Sequence, residues 1–174
     1  TPPAPPQFND TPEFTSDENL EITGKSESGA IIIINTNGET SEVVANSDGQ
    51  FNFVFNLEKK ENKIVAYARD TAGNVSIESK TYTIYFDNTE PKLEVASPTD
   101  GTSFYGSGQR QLQIKGTVDE NVNLTVNNRV VTVKDDMTFN YSTTLSEGEN
   151  KFDVKAVDPS GNETSTSLTV NFTP

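Results

Sequence analysis

The chain has 174 residues, 26 acidic and 13 basic side chains, a formal net charge of -13, and no His, Cys or Trp. Without His or Cys there is no Ser-His-Asp or Cys-His nucleophile, no thiolate or imidazole metal site and no disulfide framework, so any catalysis would fall to carboxylates, Lys, Tyr, Ser or Thr. An acidic chain without a Lys/Arg cluster repels nucleic acid and anionic membranes, and its longest apolar run, residues 30–34, is too short to cross a bilayer.

Val, Ile, Leu and Phe make up 41 of the 174 residues, enough for a folded core. In chain order, a short edge strand is expected at Gln7-Phe8, then strands over 20–24, 31–35 and 40–45. The next has period two: Phe51, Phe53, Phe55 and Leu57 alternate with Asn52, Val54 and Asn56, so one face is buried and the other solvated. Ile64, Ala66 and Ala68 face inward on the strand after it, and Tyr82, Ile84 and Phe86 on the last. The pattern then starts again. A short edge strand at 92–96 leads to strands over 112–116, 122–126 and 130–133. Phe139, Tyr141 and Leu145 then face inward, followed by Phe152, Val154 and Ala156, and by Leu168, Val170 and Phe172. Asn37-Gly38, Asp48-Gly49, Gly73-Asn74, Asp100-Gly101 and Gly161-Asn162 mark turns between the runs, and no window has a helical period.

The recurrence is an internal repeat at an offset of 88. Phe51-Asn52-Phe53, Leu57, Glu61-Asn62-Lys63, Asp70 and Gly73-Asn74 return as Phe139-Asn140-Tyr141, Leu145, Glu149-Asn150-Lys151, Asp158 and Gly161-Asn162. Ile22-Thr23-Gly24 returns as Ile114-Lys115-Gly116 at offset 92, the difference lying in four extra residues near 97–108. The expected domains are therefore 1–87 and 88–174, with no Gly/Ser linker between them, which suggests a rod of restricted bending. The Pro-rich start at 1–6 and the ending Phe172-Thr173-Pro174 read as junctions cut from neighbouring modules. The fold class expected is all-β: two tandem immunoglobulin-like antiparallel sandwiches of about seven strands each, without the Cys and Trp of antibody domains.

The runs DGQFNFVFNLEKKENKIVAYARDTAGNVS and DDMTFNYSTTLSEGENKFDVKAVDPSGNETS resemble the tandem bacterial Ig-like repeats of cell-surface and secreted proteins, over nearly the whole chain, twice. The second copy has Glu147-Gly148-Glu149 where the first has Lys60-Glu61, which should change that turn and not the fold. The resemblance implies a non-enzymatic stalk or spacer in a larger extracellular bacterial protein. Its partners would be neighbouring domains of the same chain, with no cofactor and no catalytic residue. It leaves open a glycan- or protein-binding accessory module of an adhesin or an extracellular glycoside hydrolase. It also makes Lys63 or Lys151, with Asn171, a candidate for an intramolecular isopeptide bond.

Three groups of residues invite a binding role. In the Asp-x-x-Gly-Asn turns, Asp70, Gly73 and Asn74 and their counterparts Asp158, Gly161 and Asn162 offer oxygens that suit Ca2+. Turn chemistry accounts for them better: Asp accepts from turn N–H groups and Gly supplies positive φ. The junction residues Asp87, Asn88 and Glu90 are the better Ca2+ candidate, while Phe104 and Tyr105, in the loop inserted into the second copy, are candidates for stacking on a sugar or partner. The acidic pairs Asp119-Glu120 and Asp135-Asp136 read as solvated turns rather than glycosidase carboxylates, which need a cleft between them. Calorimetric titration with Ca2+ tests the junction: binding gives heat and a higher Tm, and a silent titration with unchanged Tm removes the metal.

Overall fold

In the computed structural model, which describes residues 1–174, the alternating runs become strands and the turn signals become the connections between them. The chain divides into two units, Thr1–Asn88 and Thr89–Pro174, one residue beyond the boundary expected at 87. The first contains β1 (Gln7–Phe8), β2 (Phe14–Thr15), β3 (Asn19–Lys25), β4 (Ile31–Thr36), β5 (Glu39–Val44), β6 (Gln50–Asn56), β7 (Lys60–Arg69) and β8 (Tyr82–Phe86). They form two sheets, β1-β3-β6 and β2-β8-β7-β4-β5. The second unit contains β9 (Leu93–Ser97), β10 (Ser103–Tyr105), β11 (Gln111–Val118), β12 (Asn123–Val126), β13 (Arg129–Val131), β14 (Thr138–Thr144), β15 (Gly148–Val157) and β16 (Glu163–Thr173). Its sheets, β9-β11-β14 and β10-β16-β15-β12-β13, have the same order as those of the first unit.

Each unit is thus an Ig-like sandwich with its own core. Ile22, Ile32, Ile34, Phe51, Phe55, Leu57, Ile64 and Ile84 belong to the first, and Ile114, Leu124, Val126, Phe139, Leu145, Val154 and Val170 to the second. The inward positions of β6 and β14 are not equally covered. Phe55 and Phe139 are fully buried, whereas Phe53 and Tyr141 are only half-buried against the edge of the core. Phe53 keeps an edge-to-face contact with Phe55 at 4.7 Å.

Two elements escaped the sequence pattern. β2 runs parallel to β8 and β10 runs parallel to β16, so neither sandwich is wholly antiparallel. At two and three residues, they are too short for alternation to register. The last strands also differ. β15 pairs with β16 along its full length, from Val157 opposite Glu163 to Gly148 opposite Phe172. β8 pairs with β7 only from Lys60 to Ile64. Beyond it, serines complete the edge: Ser79 Oγ accepts the Ala66 N–H at 3.0 Å and Ser76 Oγ accepts that of Ala68 at 2.9 Å.

The repeated residues have structural work in both units. Gly24 lies opposite Phe51, and Gly116 opposite Phe139. A Cβ on Gly24 would meet the Phe51 ring and come within 2.6 Å of the Gln7 carbonyl oxygen; on Gly116 it would come within 2.7 Å of Phe139 Cε1. Asn62, fully buried, accepts the Glu58 N–H at 2.9 Å and donates to the carbonyls of Glu58 and Lys60 at 2.8 and 3.1 Å. Asn150 repeats this with Ser146 and Gly148, accepting at 2.8 Å and donating at 2.8 and 3.0 Å. The turn expected to differ between the copies has the same conformation in both. Lys60 takes φ 76° and Gly148 φ 86°, because the asparagine bonds dictate the turn whichever residue occupies it.

Thermal melts of core variants should reflect this ranking. Phe55→Ala and Phe139→Ala should each cost about 3–5 kcal/mol, Phe53→Ala less, and Gly24→Ala about 1–3 kcal/mol through overpacking. A Phe53→Ala loss equal to that of Phe55→Ala would contradict the half-buried placement.

Candidate functional site

The Asp-x-x-Gly-Asn turns close the β7 and β15 ends of the two sandwiches. Asp70 Oδ1 accepts the N–H groups of Ala72 at 2.9 Å and Asn74 at 2.8 Å, and its Oδ2 accepts Asn74 Nδ2 at 2.7 Å. Asp158 accepts from the Asn162 N–H at 2.9 Å and from Asn162 Nδ2 at 2.8 Å. The backbone closes the same loop, Asp70 N–H to Asn74 O and Asp158 N–H to Asn162 O, each at 3.0 Å. Gly73 and Gly161 stand at φ 87° and 91°, the left-handed conformation that a Cβ disfavours. Both oxygens of each aspartate therefore already accept hydrogen bonds within the turn. The Asn74 side-chain amide, followed by the two backbone N–H groups, holds the Asp70 carboxyl below its ordinary value.

Asp87 gives its N–H to Thr15 O at 3.0 Å and, with Asn88, ends the first unit, while Glu90 belongs to the second. Asn88 and Glu90 have exposed side chains. Asp119 Oδ1 accepts the Lys92 N–H at 2.7 Å, and Asp136 Oδ1 accepts both the Thr138 N–H at 3.1 Å and its hydroxyl at 2.6 Å. Led by that hydroxyl, these bonds lower the Asp136 pKa. Lys63 pairs with Glu61 at 3.0 Å, lowering the carboxyl's pKa and raising the ammonium's, with both groups in solvent. Lys151 and Asn171 are exposed as well.

Phe104 and Tyr105 require a correction. They lie on β10, paired with Phe172 and Thr173, and not in a loop peculiar to the second copy. Phe104 packs against the core, leaving Tyr105, 66% exposed, as the accessible ring. The first unit has its own aromatic surface, which sequence reasoning only half found. Tyr85 alternates with the inward Ile84 and Phe86, and Phe14 stacks on it with centroids 5.3 Å apart and planes 24° from parallel. The signal for Phe14 was weak because β2 is two residues long. Ser103 and Asn171 hold the equivalent places in the second unit, so the ring pair is not repeated.

Comparison with known proteins divides at the same point as the structure. Residues 4–84 match the family described as bacterial Ig domain, and residues 91–173 match glucodextranase, domain B. No curated protein matches the sequence. Among solved structures, the fibronectin(III)-like modules of Clostridium thermocellum CbhA are 15% identical, with 96% of this chain and 93% of that chain covered and a TM-score of 0.61. A three-Ig segment of titin is 10% identical, with 97% and 66% covered and a TM-score of 0.53. A Ca2+-stabilized adhesin with which an Antarctic bacterium binds ice is 16% identical, with 99% and 50% covered and a TM-score of 0.44.

The Asp70 bonds predict an acid response. Because the folded pKa is depressed, their contribution is complete above the unfolded value of about 3.9 and is lost as the pH falls through the folded one. Asp70→Asn should lower the Tm of the first unit at pH 7, and the gap from the unsubstituted chain should narrow towards pH 2. A gap independent of pH would show that the carboxylate's charge does not matter.

Proposed function

This chain is a tandem of two bacterial Ig-like domains, and we propose that it serves as a non-catalytic spacer in a larger protein outside the bacterial cell. The observation that carries this reading is that each unit closes a complete core of its own. The residues repeated between the units, Gly24/Gly116, Asn62/Asn150 and Asp70/Asp158, make turn, staple and packing contacts inside their own sandwich. A module whose repeated residues all serve the fold is suited to holding other domains apart. The matched families and a composition free of His and Cys support the same reading.

The six residues between β8 and β9, among them Pro91, leave little slack for a flexible hinge and favour a spacer that passes tension from one unit to the next. The -13 charge keeps such a module soluble at high surface density. A second reading, a glycan-binding accessory module, rests on the Phe14–Tyr85 stack and the exposed Tyr105, since ring faces are where sugars stack.

Pulling on the whole chain from its two ends separates these readings when combined with a glycan array. The spacer should give two unfolding events, each releasing roughly 250 Å at about 3.4 Å per residue, and no retained glycan. A glycan retained by the chain and lost with Phe14→Ala or Tyr105→Ala would replace the spacer by the binding module.

A further inference from the structure

β6 is an open edge with none of the usual protection. Soluble proteins guard edge strands with charges, prolines or bulges, because unpaired N–H and C=O groups invite another strand. β6 reads Gln-Phe-Asn-Phe-Val-Phe-Asn, without a charge, proline or glycine, and it pairs with β3 in unbroken register on one side only. The bonds Leu57 N–H to Glu18 O and Ser26 N–H to Gly49 O, each at 2.8 Å, show that the odd-numbered residues of this strand direct their backbone groups at β3. The even-numbered ones therefore face away. Gln50 is satisfied by Asn46, whose N–H donates to the Gln50 carbonyl at 2.8 Å and whose Oδ1 accepts the Gln50 N–H at 2.9 Å. The open stretch is Asn52, Val54 and Asn56.

The surroundings of this stretch point to one kind of occupant. A cleft beside it, towards β5, is floored by Phe53 and Phe55 and carries Glu39 and Glu58 on its rim, with no Lys or Arg among its lining residues. Val54, 55% exposed, offers an apolar side chain for a cross-strand pair. The corresponding edge of the second unit is different. The Lys134 N–H to Thr138 O bond at 2.9 Å only repeats that of Asn46 to Gln50, but Ser142 and Ser146 stand where the first unit has Val54 and Glu58, Lys134 lines a cleft beside the strand, and Val133 bridges Phe139. Charge complementarity therefore selects the first unit's edge for a basic partner, while the -13 on every copy opposes pairing of two copies there.

We propose that the β6 edge receives an extended, Lys/Arg-bearing peptide segment of a partner protein, which adds as a strand along 52–56 and sets a basic side chain against Glu39 and Glu58. This docking track goes beyond the spacer reading and does not depend on the pulling experiment.

The probe is a labelled peptide Lys-Val-Lys-Val-Thr-Val-Lys, with a Glu-for-Lys version as control, titrated into the full chain by fluorescence anisotropy and by amide NMR. The Lys peptide should bind at least tenfold more tightly than the Glu peptide, with the largest amide shifts at Asn52, Val54 and Asn56. Val54→Pro, which removes an edge-facing N–H, should weaken binding at least tenfold. Should that variant fail to fold, the double charge reversal Glu39→Lys with Glu58→Lys replaces it and should invert the preference between the two peptides. Three results would overturn the proposal: no binding at millimolar peptide, binding indifferent to the folded variants, or a chain that dimerises through β6 with or without peptide. The last would make a second copy the occupant.

Discussion

In each sandwich a phenylalanine ring lies across a glycine on the neighbouring strand, and much of the sheet order depends on that contact. At Gly24 and Gly116 the missing Cβ leaves room on one side for Phe51 or Phe139 and on the other for the carbonyl of Gln7 or Glu94. Any side chain there would push away either the aromatic core or the short first strand. The contact also settles register: Gly24 opposite Phe51 places Ile22 opposite Phe53 and Leu20 opposite Phe55, so one face of β3 and β6 turns inward together. The asparagine staple then follows one turn later in both units.

The same geometry explains why β6 and β14 are edges. Their backbone bonds β3 or β11 on one side, and no further strand joins either three-stranded sheet beyond them. What differs between the units is what lies beside the edge: carboxylates and an exposed valine in the first, a lysine and a backbone bridge in the second. Two copies of one fold thus present unlike surfaces while keeping like interiors, as expected where the core is constrained by packing and the rim is not.

Most of the architecture was legible in the chain because it depends on local periodicity. The long strands, the Gly-Asn turns and the repeat all leave a signal within a few residues of themselves. The parallel strands β2 and β10 did not, since two or three residues hold no period and their pairing is with the far end of the unit. Phe104 and Tyr105 were read as a loop for that reason. Phe53 was placed on the correct face, yet alternation says only which way a side chain points; how fully it is covered depends on β5, which lies across the cleft from it. The site residues divide in the same way. The turn chemistry of Asp70 and Asp158 is local and could be read directly, whereas the Phe14–Tyr85 stack joins residues 71 positions apart.

By itself, the sequence determined that this protein is two copies of an all-β sandwich, acidic throughout, without the side chains that most enzymes use. Those properties follow from composition and from spacings that short-range forces act upon directly. Only the tertiary structure decided that Asn62 and Asn150 hold the turns, that Lys60 can stand where its counterpart is glycine, and that β6 is left open beside two carboxylates. The first two rest on bonds within a single turn, Asn62 to Glu58 and Lys60 and Asn150 to Ser146 and Gly148, that no turn dipeptide announces, whereas the last is a meeting of residues from different strands. It exists only once burial of the core has drawn them together.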